Sequence, residues 1–264
     1  MSKVEVETKY DEKLFDLVRS ANISDEQLKR FDEIDLYYYR DFNGGTFLHH
    51  CKSVKTIKKL FELGMTANIQ DYRHNIPLFQ ILHQSDIDKE VLENIVNLFL
   101  EKGVDLDQKS SFSGNTCCDI AKLKKFSFEN KLSDRLSLIR KGNTNGRIHY
   151  LYTNMRWWRT SALWLVNIGR HNLMKGFETQ IHPEAVEIGK SDLKKLYDIC
   201  SEMCSKWHNE LMYWENDKKI KKMCLNCDSN NDLLRCSKCK QVYFCGKKCQ
   251  KECWNVHKLY CQNK

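Results

Sequence analysis

The chain has 264 residues, 41% hydrophobic and 30% charged, with two prolines and a formal net charge of +8. Such a length allows roughly one to three domains, and the composition is that of a soluble protein rich in helix. It excludes membrane insertion, because the longest uncharged apolar stretch, Thr160–Gly169, is about half a membrane span; Met1–Asp11 is charged without an apolar core, unlike a secretory signal.

Taken in order, the N-terminal half repeats itself. Asp41-Phe42-Asn43-Gly44-Gly45-Thr46-Phe47-Leu48-His49-His50-Cys51 recurs in degraded form as Asp71-Tyr72-Arg73-His74-Asn75-Ile76-Pro77-Leu78, and again as Gly114-Asn115-Thr116-Cys117-Cys118-Asp119-Ile120-Ala121. Between these landmarks, near 41–51, 71–81 and 114–121, apolar residues recur at helical spacing: Val54, Ile57, Leu60 and Phe61, then Val91–Leu100. Gly64 and Gly103 follow those runs, where a left-handed residue ends a helix. The pattern resembles degenerate ankyrin repeats, with spacings of about 30 and then 40 residues against an ideal near 33. The longer second interval predicts an insertion around His83–Lys89. Lys13–Arg19 and Asp25–Phe31 read as an earlier helical pair, and Ala121–Leu138 as a closing cap. A nonrepetitive helical bundle is the competing architecture. The resemblance implies a protein-binding stack, whose turn tips offer Tyr37, Tyr38, Tyr39, Phe42, Tyr72 and Arg73. For the tyrosine run, contact with a partner and packing between repeats stand equal.

The middle segment carries little chemistry. Lys141–Gly146 reads as a turn-rich linker. The apolar run with Trp157, Trp158 and Trp164 reads as core, and Pro183 interrupts the next stretch. Ser191 is placed to cap a long helix whose stripe is Leu193, Leu196, Tyr197, Cys200, Met203, Cys204, Trp207, Leu211 and Trp214. That helix is expected to pack on Trp157–Ile168 or on the last repeat helices. Ile188-Gly189-Lys190-Ser191 ends like a phosphate loop, but no strand precedes it and the first glycine of that motif is missing. Cys200, Cys204 and His208 form a ladder that drifts around the helix, so they are not expected to share one ion.

The C-terminus is the most specific stretch: Cys224-x2-Cys227-x8-Cys236-x2-Cys239-x5-Cys245-x3-Cys249-x7-His257-x3-Cys261. Eight soft or borderline ligands imply two tetrahedral zinc ions. The CxxC pairs suit single tight turns, and the x3 pairs suit one face of a helical turn. Paired CxxC spacings without a secretory signal favour metal over a disulfide cluster and fit a reducing cytosol or nucleus. Ligand order, Tyr243-Phe244-Cys245, and Cys249-Gln250 followed by Trp254 and His257 resemble the MYND zinc finger. The x7 gap before the histidine fits that family better than RING or HIT fingers. The resemblance implies interleaved sites, one of Cys224, Cys227, Cys245 and Cys249, the other of Cys236, Cys239, His257 and Cys261. It also implies a groove for short proline-containing peptides at Ser237, Gln250 and Trp254. Asn255 replaces a proline frequent after that tryptophan, and Cys253 reads as a spare thiol.

Lys218–Lys264 holds twelve Lys/Arg and three Asp/Glu, so the tail alone carries more than the whole net charge and the remainder is slightly negative. Nucleic-acid association is the second functional class, disfavoured because no recognition helix or arginine–aromatic platform accompanies the charge. An enzyme is the third. Some proteins with this finger are lysine methyltransferases with a SET domain, but no Asn-His-Ser-Cys stretch is present, and zinc with four protein ligands has no open position for water. The expected protein is therefore mainly α: degenerate ankyrin repeats over 1–140, a helical extension over 141–217, and a small cross-braced two-zinc MYND finger over 218–264. Its expected role is that of a non-enzymatic adaptor with protein partners.

Overall fold

Helix-period apolar runs, each closed by a turn signal, dictate the first half of the molecule. A computed structural model describes residues 6–167, 181–218, 220 and 222–261. Residues 1–5, and Ile168 and Gly169 at the end of the apolar run, lie outside the described residues. Four helical pairs follow one another: α1 (Glu12–Arg19) with α2 (Asp25–Lys29), α3 (Phe47–His50) with α4 (Val54–Glu62), α5 (Pro77–His83) with α6 (Lys89–Glu101), and α7 (Cys117–Leu123) with α8 (Glu129–Gly142). First helices stack in the order α1, α3, α5, α7, and α4 stacks on α6. Phe47, Leu48, Ile57, Leu60, Leu78, Ile95 and Phe99 are fully enclosed between these layers. Each such side chain contributes about 1.5–3 kcal/mol on leaving water.

The turns between pairs are chemically alike. Asp41 Oδ1 accepts from the Asn43 and Gly45 N–H groups at 2.7 and 2.8 Å. Asp71 Oδ1 accepts from Arg73 and Asn75, both at 2.8 Å. Ser110 Oγ takes the same place more weakly, accepting from Phe112 and Ser113. Successive tips are joined, since Tyr72 N–H donates to the Asn43 carbonyl and Ser111 N–H to that of Arg73, each at 2.9 Å. Gly64 and Gly103 adopt φ +93° and +71° and close α4 and α6 as expected. Met65 N–H reaches the Leu60 carbonyl and Val104 N–H that of Phe99, which satisfies carbonyls that a helix end leaves without partners.

Three local expectations are corrected. The extra residues of the second interval are not confined to His83–Lys89, because α6 is also four residues longer than α4, 13 against 9. Ala121–Leu138 is part of a complete fourth pair, and α8 runs on to Gly142, so the linker shrinks to Asn143–Asn145. Asp192, not Ser191, caps the long helix: its carboxylate accepts from Lys195 N–H, while the Ser191 hydroxyl donates back to the Ile188 carbonyl.

That long helix, α11 (Leu193–Asp217), packs on α9 (Gly146–Val166), α10 (Pro183–Ser191) and α8. It thus meets both of its expected neighbours. Its stripe is buried at Leu193, Leu196, Tyr197, Cys200, Cys204, Trp207 and Leu211. It also crosses the ends of the stacked pairs. Tyr197 lies flat on Tyr37, ring centroids 4.0 Å apart, so Tyr37 is an internal packing residue. Tyr72 is buried as well, whereas Phe42 is exposed. A Cβ on Gly103 would sit 2.8 Å from the His208 Cβ, so glycine there serves both the helix end and the approach of α11. Among the described residues no helix is long and apolar enough to cross a membrane.

Candidate metal centre and peptide surface

Residues 223–261 contain one short hairpin, β1 (Leu234–Arg235) paired antiparallel with β2 (Tyr243–Phe244), then α12 (Lys247–Glu252) and α13 (Trp254–His257). Two similar turns begin it. Asp228 N–H donates to the Cys224 carbonyl, and Lys240 N–H to that of Cys236. Both Asp228 and Lys240 hold positive φ, +59° and +54°, a cost for side-chain-bearing residues of about 1 kcal/mol each. These turns aim each CxxC pair inward, β2 delivers Cys245, and α12 and α13 deliver Cys249 and His257.

The eight ligand atoms gather into two groups, Cys224, Cys227, Cys245 and Cys249 in one, and Cys236, Cys239, His257 and Cys261 in the other. Four sulfurs at about 2.3 Å from one zinc lie roughly 3.8 Å from each other. In the first group Cys227–Cys245, Cys245–Cys249 and Cys249–Cys227 Sγ separations are 3.5, 3.4 and 3.8 Å. In the second, Cys236 and Cys261 are 3.8 Å apart, and His257 Nε2 lies 3.3 Å from Cys236 and 3.7 Å from Cys239. The donor set and spacing fit two zinc ions, each saturated by four protein ligands. Interleaving of ligands along the chain makes the finger cross-braced.

Backbone polarity favours the thiolate of the leading cysteine in each group. Burial resists charge on Cys224, but N–H groups of Cys227, Cys245 and Asn226 outweigh it and bring the thiol down to about 6. Cys236 is lowered too, with burial again opposed by N–H groups of Cys239 and Lys238. Burial, and then the charge of Lys238, hold His257 below its usual range, which keeps the imidazole neutral as a metal ligand must be. Cys253 stands outside both groups. It is buried, its thiol donates to the Cys249 carbonyl at 3.0 Å, and burial pushes its pKa up to about 12.

The groove residues implied by the resemblance all reach the surface. Ser237 is exposed between Cys236 and Cys239, and Gln250 is half-buried on α12. Trp254 opens α13 with 39% of its surface exposed and its ring 5.7 Å from that of His257. The helix carrying Gln250 and Trp254 breaks at Cys253. Leu234 and Leu259 add exposed apolar surface on the finger. Cys200, Cys204 and His208 do not converge; His208 Nδ1 instead faces Arg135 Nη2 at 2.7 Å.

Sequence reasoning missed the seam that holds the finger to the helical body. Arg147, 5% exposed, donates to both Glu210 oxygens at 3.1 and 2.9 Å and to Asp228 Oδ1 at 3.0 Å. Lys206 donates to the other Asp228 oxygen at 2.6 Å. His149 of α9 meets Tyr260 edge-on at 4.7 Å, and a Cβ on Gly146 would lie 2.6 Å from the Gln241 Cβ. The cue available was Asp228, an acid at the position after a ligand pair where glycine suits a left-handed turn.

Residues 223–261 match the family profile of the MYND finger, so this segment is a MYND finger, a module of protein–protein interaction. Two curated relatives are similar over this part. Histone-lysine N-methyltransferase ASHR1 of Arabidopsis thaliana is 36% identical over 47 residues, 18% of this chain and 10% of the relative. Egl nine homolog 1 of Homo sapiens is 40% identical over 45 residues, 17% of this chain and 11% of the relative. The chain thus spans about a tenth of the length of these relatives.

Proposed function

We propose that the protein is a non-enzymatic adaptor that binds short proline-containing peptides through Ser237, Gln250 and Trp254 of the finger, and further protein partners through its helical stack. The observation that carries this reading is Trp254, a large aromatic side chain left 39% exposed on a helix whose neighbours are committed to metal. An indole face packs against a proline ring, and the Gln250 amide is suited to bond a peptide backbone. Saturated zinc sites support a structural rather than a catalytic role for the metal. The zinc-type cysteine pattern supports a cytosolic or nuclear setting.

The stack is read as ankyrin-type repeats. Its recurring Asp41, Asp71 and Ser110 tips and its layered first helices support this. Because α11 lies behind the loops at the ends of α4, α6 and α8, the side of the first helices is the one offered to partners, with His50, Gln80, His83 and Lys122 at its surface. Nucleic-acid association through the basic tail ranks lower. A steep salt dependence of binding to any DNA or RNA would favour it.

The test is peptide affinity and zinc content measured on the same samples. Trp254→Ala is expected to keep two zinc ions and to lose about 2 kcal/mol, roughly thirtyfold in affinity, with Trp254→Phe retaining part of the binding. Loss of metal from the Ala variant would make Trp254 a core residue and remove the groove.

A further inference from the structure

Body and finger together enclose a cleft of about 700 Å³, lined by Gln108 from the loop after α6, by Thr153, Arg156, Trp157 and Arg159 of α9, and by Lys258 just after α13. Small-molecule sites span roughly 300–1,000 Å³. Its polar groups are unbalanced in charge. Asp105, fully buried, accepts through one oxygen from both Arg156 Nε at 2.9 Å and Arg159 Nη2 at 3.0 Å. Burial opposes ionisation of Asp105, but the two guanidinium groups hold its carboxyl below the usual range, so one carboxylate serves two cations. The next acid, Asp107, is shared with Arg140 and with the Tyr152 hydroxyl. Lys258 Nζ donates to a neutral amide, Asn255, at 3.3 Å.

The arginines also hold donors in reserve. Arg159 is 2% exposed, and its Nη2 donates to Asp105 and Gln108. Its Nε and Nη1, and Nη2 of Arg156, are buried without a hydrogen-bond partner among the described residues. A buried cation with unmade hydrogen bonds is costly, and an oxyanion removes that cost while matching the planar fork of a guanidinium. We propose that this cleft binds a small ligand through an oxyanion, phosphate or carboxylate, held between Arg156 and Arg159 of the body and Lys258 of the finger, with Trp157 and Thr153 bounding the rest of the ligand. Because Lys258 follows the metal ligand His257, such a ligand ties the finger to the helical body at a second place, apart from the Arg147 seam.

Titration calorimetry on the full zinc-loaded chain tests this, with inorganic phosphate, phenyl phosphate and benzoate as probes and chloride balancing the ionic strength. Saturable one-to-one binding of at least one probe is expected. Preference for the phosphates over benzoate assigns the phosphate source, and the reverse assigns the carboxylate. Lys258→Ala, at an exposed position, should weaken binding about two- to fivefold with both zinc ions retained, and Lys258→Glu should abolish it. Arg156→Gln should weaken it at least about tenfold; if that variant does not fold, the two Lys258 variants decide. No saturable heat with any probe, or an unchanged affinity in the Lys258 variants, overturns the proposal.

Discussion

Helices α1–α8 and the finger bury themselves by different means. The stack encloses Phe15, Phe47, Leu60, Leu78, Ile95 and Phe99 in continuous layers, while the finger has Leu225, Val242, Phe244 and Val256 around eight metal ligands. The first is sustained by apolar area spread over many residues, the second by a few coordinate bonds that carry most of its folding free energy. One lost contact is therefore a partial injury in the stack and a total one in the finger. The seam at Arg147 then decides how far an injury in one region is felt in the other.

The sharpest way to separate the regions is to remove the metal. Structural zinc contributes about 10 kcal/mol or more to folding in small fingers. Cys236→Ala is expected to lower zinc from two ions per chain to one or fewer and to unfold residues 223–261. Helices α1–α8 should stay folded, as read by elemental analysis together with far-ultraviolet circular dichroism. Collapse of the helical signal would mean that stack and finger fold as one unit.

Acid offers a smaller lever on the stack. His49 is buried, with Nδ1 at 3.0 Å from the Thr46 hydroxyl and Nε2 facing the Asn75 carbonyl at 3.1 Å. Burial, partly opposed by Asp71, lowers its pKa to about 4. Between about pH 6.5 and 4 the unfolded chain takes up a proton that the folded chain refuses. Stability from this residue is thus complete above about 6.5 and falls as the pH drops, by roughly 2 kcal/mol between pH 7 and 5. Denaturant melts of the stack signal at those two pH values should show a smaller drop in His49→Gln than in the parent chain. Equal drops would place the acid sensitivity elsewhere.

The seam itself should give the mildest effect. Arg147→Ala leaves Glu210 and Asp228 without their shared partner, but Asp228 is 37% exposed, and water softens the loss to about 1–2 kcal/mol. Faster zinc release to a chromogenic chelator is expected, with the stack melting as before. Unchanged release would show that the finger holds its metal without help from α9.

What the sequence by itself determined was local. Eight ligands at short fixed spacings allow few arrangements other than two tetrahedral sites, and the glycines after Phe61 and Leu100 end their helices by backbone stereochemistry alone. The sequence left Trp254 open between a groove and a core position, and the fold leaves it 39% exposed. Even some local detail escaped: at Ser191 and Asp192 two capping residues compete, and the backbone path between α10 and α11 selects the aspartate. Only the tertiary structure laid α11 across the stacked pairs, decided between surface and packing for Tyr37 by stacking it on Tyr197, and brought Arg147 to acids 63 and 81 residues away. The pairing of Asp105 with Arg156 and Arg159 belongs there too. A charge or a ring in a sequence carries no address: its partner is chosen by which surfaces pack, and that choice is made by the whole apolar core at once.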